Sequence, residues 1–142
     1  MAKFEVSGMD ETLRAMAKAN IMDDETLDEM VQAGGSVVQR EIRSGIAASR
    51  FRLDRLAGKV AMSRRKRDKN GNSYTTITLR GKNARGERNA TVAFVLNYGR
   101  GAEYGRIEGD YFWTRAAQNA QEPATEAVRK IAEQKLKERG LL

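Results

Sequence analysis

The chain has 142 residues, a length suited to one domain, and contains neither histidine nor cysteine. Those two absences exclude thiolate nucleophiles, disulfides, soft-metal sites and every triad that relies on an imidazole base. The net charge of +7 is unevenly spread: residues 1–39 carry 3 basic and 8 acidic side chains, residues 40–88 carry 15 and 4, and residues 89–142 carry 8 and 7.

The first residues, Met1 to Val6, lack the apolar stretch of a signal peptide. No apolar run approaches the ~20 residues of a membrane span. A cytoplasm is therefore the expected place of synthesis. Lys3 to Ser7 alternates Phe4 and Val6 with polar residues, as in a short strand. Ser7-Gly8 breaks it, and Met9, Leu13, Met16 and Ala17 follow at helical spacing. Thr26 and Glu29 have the form of a capping box. After it, Leu27, Met30, Val31, Gly34, Val38, Ile42 and Ile46 recur every three or four residues, one face of a long helix. Gly34-Gly35 inside it marks either a kink or a site of close packing, since two glycines cost about 1 kcal/mol each in a helix interior.

Arg50 to Lys59 reads as a short helical turn or an irregular connection. From Val60 the period becomes two, and Asn70-Gly71 is a strong hairpin signal before Thr75, Ile77 and Leu79. Ala90 to Tyr98 reads as a third, more buried strand. Pro123 suits the first turn of a closing helix, with Trp113 to Ala120 as a helical piece before it. Ala124, Ala127, Val128, Ile131, Ala132 and Leu136 supply the stripe, Glu126–Lys130 and Glu133–Lys137 form favourable i,i+4 pairs, and Gly140 ends the helix. The expected fold is a single α+β domain, residues 1–142, in the order β-α-α-β-β-β-α. An antiparallel β-meander and a short N-terminal strand pack against a long central helix and a C-terminal helix.

Three stretches are candidates for function. Arg64, Arg65, Lys66, Arg67 and Lys69 place five cations near the Asn70-Gly71 turn, a hairpin tip spanning about residues 63–72. They suit phosphates or an acidic protein surface, or form a solvated tip. The loop near residues 99–110 carries Gly99, Gly101, Gly105 and Gly109 but lacks the Gly-Lys-Ser/Thr of a phosphate loop. It reads as a mobile docking loop. Its acids Glu103, Glu108 and Asp110 lie beside Arg100 and Arg106, which neutralise them, so neither a catalytic pair nor a metal site is expected there. In Tyr111-Phe112-Trp113, Phe112 is the expected anchor of the last helix. Consecutive aromatics cannot all face inward, so Tyr111 or Trp113 is expected at a subunit contact.

The stretch Phe94-Val-Leu-Asn97-Tyr98-Gly99, then a variable loop, then Tyr111-Phe-Trp-Thr-Arg-Ala-Ala117 and a long helix, resembles the C-terminal half of the neck proteins of tailed bacteriophages. These form the tail-completion or head–tail-joining family. Many members have Glu where Asn97 stands here, and they often carry prolines around the Phe that this chain lacks. The resemblance implies a non-enzymatic virion protein without cofactor or metal, forming a hexameric or similar ring between the head connector and the tail. Its partners would be other copies of itself, a portal-side adaptor or stopper, and the tail tube or tail terminator. DNA would pass through its lumen. Arg100, Glu103, Tyr104, Arg106, Tyr111 and Trp113 are the expected subunit-contact residues, and Arg64 to Lys69 the contact to DNA or a neighbour. In such a ring, one subunit's acidic patch would face its neighbour's basic one. The alternative reading is a basic nucleic-acid-binding module that uses the same hairpin.

Overall fold

The computed structural model describes the backbone of residues 2–5 and the whole of residues 23–141. The segment expected to be helical from Met9 to Ala19 lies outside the described residues, as does the Ser7-Gly8 break. The element on which everything else is laid is helix α1, Asp24–Ala48. It buries Met30, Val31, Val38, Ile42 and Ile46, the face that the three- and four-residue spacing predicts, and adds Val37. Its start differs from expectation. Asp23, not Thr26, is the N-cap: its Oδ1 accepts the Thr26 N–H at 2.8 Å. A carboxylate at the positive end of a helix gains from the aligned peptide dipoles as well as from the hydrogen bond.

After α1 the uncertain connection contains one short helix, α2 (Asp54–Ala57), anchored by buried Leu56. The sheet follows. Strands β2 (Val60–Met62) and β3 (Lys66–Arg67) both pair antiparallel with β4 (Ser73–Leu79), on the side opposite β1 (Ala2–Glu5). Ile77 is thus flanked by Ala2 and Met62. The period of two appears as burial: Ser73, Thr75, Ile77 and Leu79 are buried, while the residues between them are half-buried. The hairpin turn forms where Asn70-Gly71 predicts it. Gly71 has φ of 82° and its N–H bonds to the Asp68 carbonyl at 3.0 Å.

The third strand of the expected meander is instead a helix, α3 (Asn89–Tyr98). Two physical facts decide this. The run Ala-Thr-Val-Ala-Phe-Val-Leu has no period of two, and a short apolar run alone cannot distinguish a strand from a buried helix. Moreover, β4 has β1 on one side and β2 with β3 on the other, which leaves it no free edge. The sheet takes its third partner from the N-terminus. After α3 the chain forms a small hairpin, β5 (Gly99–Arg100) with β6 (Ile107–Glu108), joined through a 3₁₀ turn at Ala102–Tyr104.

The chain closes with α4, Phe112–Glu138, one continuous helix of 27 residues. The separate piece before Pro123 does not exist: Pro123 sits in the helix interior, exposed to solvent. An interior proline costs about 3 kcal/mol or more through its missing N–H and its ring. What holds the helix through it is a ridge with strict four-residue spacing, Phe112, Ala116, Ala120, Ala124, Val128, Ala132 and Leu136, all buried. This ridge runs antiparallel along α1. Gly45 near the end of α1 meets Ala116 and Phe112, and Glu29 near its start receives Lys135 Nζ at 3.0 Å. Within α4, Glu126 pairs with Arg129 at 2.9 Å rather than following the expected spacing of four. The helix ends on Gly140 (φ 69°), with Leu141 N–H to the Leu136 carbonyl and Gly140 N–H to the Lys137 carbonyl. That is the reciprocal pair of a Schellman motif.

Close packing, one of the two readings of Gly34-Gly35, is what the structure contains. A Cβ at Gly35 would stand 2.5 Å from Met62 Sδ and 2.9 Å from Thr75 Cγ2. One at Gly45 would stand 2.8 Å from the Ala116 Cβ and 3.0 Å from the Phe112 carbonyl oxygen. Gly45→Val is therefore expected to lower the unfolding free energy in urea titration by about 2–3 kcal/mol through overpacking. Gly58→Ala, with φ of −74° and open space around it, should be neutral or stabilise by about 0.5 kcal/mol. Acid unfolding should report the α1 cap. The Thr26 hydrogen bonds hold the Asp23 carboxyl below its usual 3.8, so the cap's contribution is complete above that value and fades as pH falls through the lowered one. Asp23→Asn should flatten that part of the pH–stability curve.

Candidate functional site

Two asparagines fix α3: Asn89 at its start donates its Nδ2 to the Arg80 carbonyl at 2.8 Å, and Asn97 ties down its end. Asn97 is buried, and its Oδ1 accepts the backbone N–H of Trp113 at 2.9 Å and of Thr114 at 3.2 Å. Its Nδ2 donates to Thr114 Oγ1 at 2.8 Å. The first N–H groups of α4 have no partner from the N-cap Tyr111, whose side chain makes no cap bond. Asn97 supplies that cap from another helix. The main chain repeats the connection: Tyr111 N–H donates to the Asn97 carbonyl at 2.9 Å and Asp110 N–H to the Leu96 carbonyl at 3.0 Å. These bonds satisfy the open carbonyls at the end of α3.

Two glycines make the crossing possible. A Cβ at Gly109 would lie 2.5 Å from the Asn97 carbonyl oxygen, and one at Gly99 would lie 2.6 Å from the Ile107 carbonyl oxygen. Gly99 also has φ of 84°. Tyr98-Gly99 is thus the point at which the chain leaves α3 and folds back on itself. Tyr111 is held in the left-handed region at φ 54°, a conformation that costs a tyrosine about 1–3 kcal/mol and collects at working surfaces.

So held, α3 is an unusual surface helix. Ala90, Val92, Ala93, Phe94, Val95 and Leu96 make it apolar on every side, yet it buries only Asn89, Ala93 and Asn97. A helix that is hydrophobic all round belongs in an interior. Phe94 is 60% exposed, Tyr98 54% and Tyr111 48%. Their rings form a continuous group, Phe94 to Tyr98 at 4.8 Å between centroids and Tyr98 to Tyr111 edge-on at 6.2 Å. Beside them a cleft of about 440 Å³ opens between α3, Leu79 and Trp113. Full burial of the three rings would remove roughly 300 Å² from water and contribute about 7–8 kcal/mol before costs. Association costs about 4–15 kcal/mol, and a standard interface needs about 800 Å² per partner. The trio can therefore anchor a contact, but the neighbouring hairpin must enlarge it.

Of the predicted contact residues, Tyr111 belongs to this group and Trp113 lines the cleft beside it, while Arg100 lies in the lining of a different cleft. Arg100, Glu103, Tyr104, Arg106 and Tyr111 are exposed, and Trp113 is half-buried. Phe112 is the buried anchor, as expected. Phe94 and Tyr98, assigned to a core strand by the sequence, are instead the exposed centre of the site. Their separation of four residues, together with Ala90, Ala93 and Asn97, was the available helical signal.

The basic segment is split. Arg65 turns back from the hairpin onto α1, where Nη2 meets Asp24 Oδ1 at 2.9 Å and Nε bonds to Asp28. These bonds, the one to Asp28 foremost, push its pKa upward. Arg64, Lys66, Arg67 and Lys69 stay exposed, so four cations remain on the tip in place of five. Among the described residues no group of His, Cys, Asp or Glu could hold a metal ion, and no helix is long and apolar enough to cross a membrane.

No family model, no curated protein and no solved structure matches the chain. Asn97 provides a direct check of this geometry. Asn97→Leu should cost about 2–4 kcal/mol in denaturant unfolding, because it leaves the start of α4 without acceptors. Asn97→Asp keeps an acceptor at a helix N-terminus and should cost clearly less.

Proposed function

We propose that this chain is a structural, non-enzymatic subunit of a tailed-bacteriophage virion, a neck or tail-completion protein that forms a hexameric or similar ring joining the head connector to the tail. The observation that carries the reading is α3, a largely apolar helix whose exposed Phe94 and Tyr98 join the ring of Tyr111 in solvent beside the β5–β6 hairpin. A fold that buries its other helices along long apolar ridges has no internal use for such a surface. Tyr and Trp concentrate at contacts between proteins, and a head-to-tail contact that closes on itself makes a ring. The motif order Asn97-Tyr98-Gly99, loop, Tyr111-Phe112-Trp113 and long helix supports the class, although the element that leads into it is a helix where the resemblance implied a strand. Residues Arg100 to Arg106 then flank the contact. The exposed Arg64, Lys66, Arg67 and Lys69 turn toward DNA in the lumen or toward an adjoining adaptor or tail protein.

Sedimentation velocity on the free chain, and on the chain mixed with connector and tail-tube proteins, tests this. The wild type is expected to form a closed oligomer alone or in the mixture. Phe94→Glu with Tyr98→Glu should remain monomeric while melting within a few degrees of wild type, since both side chains are already exposed. A wild type that stays monomeric in every mixture, or a double variant that assembles equally well, would contradict the proposal. Strong salt-dependent DNA binding by the free chain, lost on Arg64→Ala with Arg67→Ala, would favour the nucleic-acid-binding reading instead.

A further inference from the structure

On the side of α3 away from the aromatic rings lies a second cleft, of about 560 Å³, between α2, the turn before α3, and the β5–β6 hairpin. That volume is within the ~300–1,000 Å³ typical of ligand sites. Its floor is apolar, formed by Val92, Val95 and Ile107, and Arg55, Arg85 and Arg100 stand around it. Arg100 is steadied at the rim, its Nε donating to the Gly105 carbonyl at 2.6 Å. The acid in this lining is Glu87, and its Oε1 already accepts from Asn83 Nδ2 at 3.2 Å. Arg55 and Arg85 form no ion pair with a described residue, so the lining sets three guanidinium groups, those of Arg55, Arg85 and Arg100, against the single carboxylate of Glu87.

The counter-charge is not readily supplied by a second copy. At the acidic start of α1, Arg65 holds Asp24 and Asp28 and Lys135 holds Glu29, which leaves only Asp23, itself the helix cap, and Glu25 outside an ion pair there. Nor does the cleft suit nucleic acid. A phosphate backbone would meet the rim and leave the apolar floor wet. A peptide that carries carboxylates on both sides of a large apolar side chain matches both parts, because guanidinium groups take carboxylates in paired hydrogen bonds and the apolar group covers Val92, Val95 and Ile107. We infer that this cleft binds a short segment of a partner protein in which acidic residues flank a large apolar one. The inference stands whether or not the chain forms a ring, since Phe94 and Tyr98 lie outside this lining.

Fluorescence anisotropy with a labelled peptide, Asp and Glu on either side of a Leu-Phe pair, tests it on the full chain. Saturable binding is expected, weakened about tenfold or more by Arg55→Glu with Arg85→Glu and by Gln and Asn in place of the peptide's acids. Lys66→Glu with Lys69→Glu, of equal charge change on the distant hairpin, should weaken binding far less. Amide chemical shifts on titration should move at Thr91, Val92, Val95 and Ile107. Absence of saturable binding below about 1 mM would overturn the inference. So would equal loss in the two charge variants, or tighter binding of a DNA duplex through Arg55 and Arg85. Circular dichroism of each variant separates loss of binding from loss of fold, and an unfolded Arg55→Glu chain would be replaced by Arg85→Glu alone, read against the same outcomes.

Discussion

The capping of one helix by a side chain from another is the constraint on which the exposed surface depends. Asn97 closes the start of α4 with its side chain and accepts from Tyr111 with its carbonyl. That double tie holds the end of α3, while Asn89 holds its start by donating its Nδ2 to the Arg80 carbonyl and its N–H to the Gly81 carbonyl. Ala90, Ala93 and Leu96 pack on the core, while the large rings of Phe94 and Tyr98 are turned outward. Gly99 and Gly109 serve the same junction by letting two stretches of main chain approach more closely than any Cβ allows. An acceptor oxygen is what position 97 requires.

Behind this junction is a rigid base. The alanine ridge of α4 and the glycines of α1 bring two long helices close together, and Gly35 seats the sheet on α1 in the same way. Charge supports the same base. Among the described acids at the start of α1, Asp24, Asp28 and Glu29 meet Arg65 and Lys135 within the subunit, while Asp23 and Glu25 are exposed and form no ion pair with a described residue. Exposed pairs of this kind contribute little individually. Their consequence is distributional. Positive charge is left over on the hairpin tip and around Arg55 and Arg85.

Much of this arrangement could be read from the residues. The long helix, the hairpin at Asn70-Gly71, the closing helix and the burial of Phe112 all follow from periodicity and turn chemistry. What could not be read followed from context. Ala90 to Tyr98 is helical because β4 already has neighbours on both edges, a fact set by the N-terminal strand about seventy residues away in sequence. Pro123 stands inside a helix because the ridge on either side outweighs its local cost. The capping box at Thr26 lost to Asp23 because Thr26 itself is buried. The site was legible in part. The segment 99–110 was read as a mobile loop where the chain forms the paired β5–β6 hairpin, Phe94 and Tyr98 were hidden by the strand assignment, and Arg65 was counted as free because its partners lie about forty residues earlier.

The central claim is that the apolar helix α3 is a surface awaiting a partner. Amide hydrogen exchange on the free chain and on the chain within assembled particles tests it most directly. The account predicts strong added protection over residues 90–98 and the 99–108 hairpin upon assembly, with α1 and α4 unchanged. Protection that spares α3 while appearing elsewhere would contradict it.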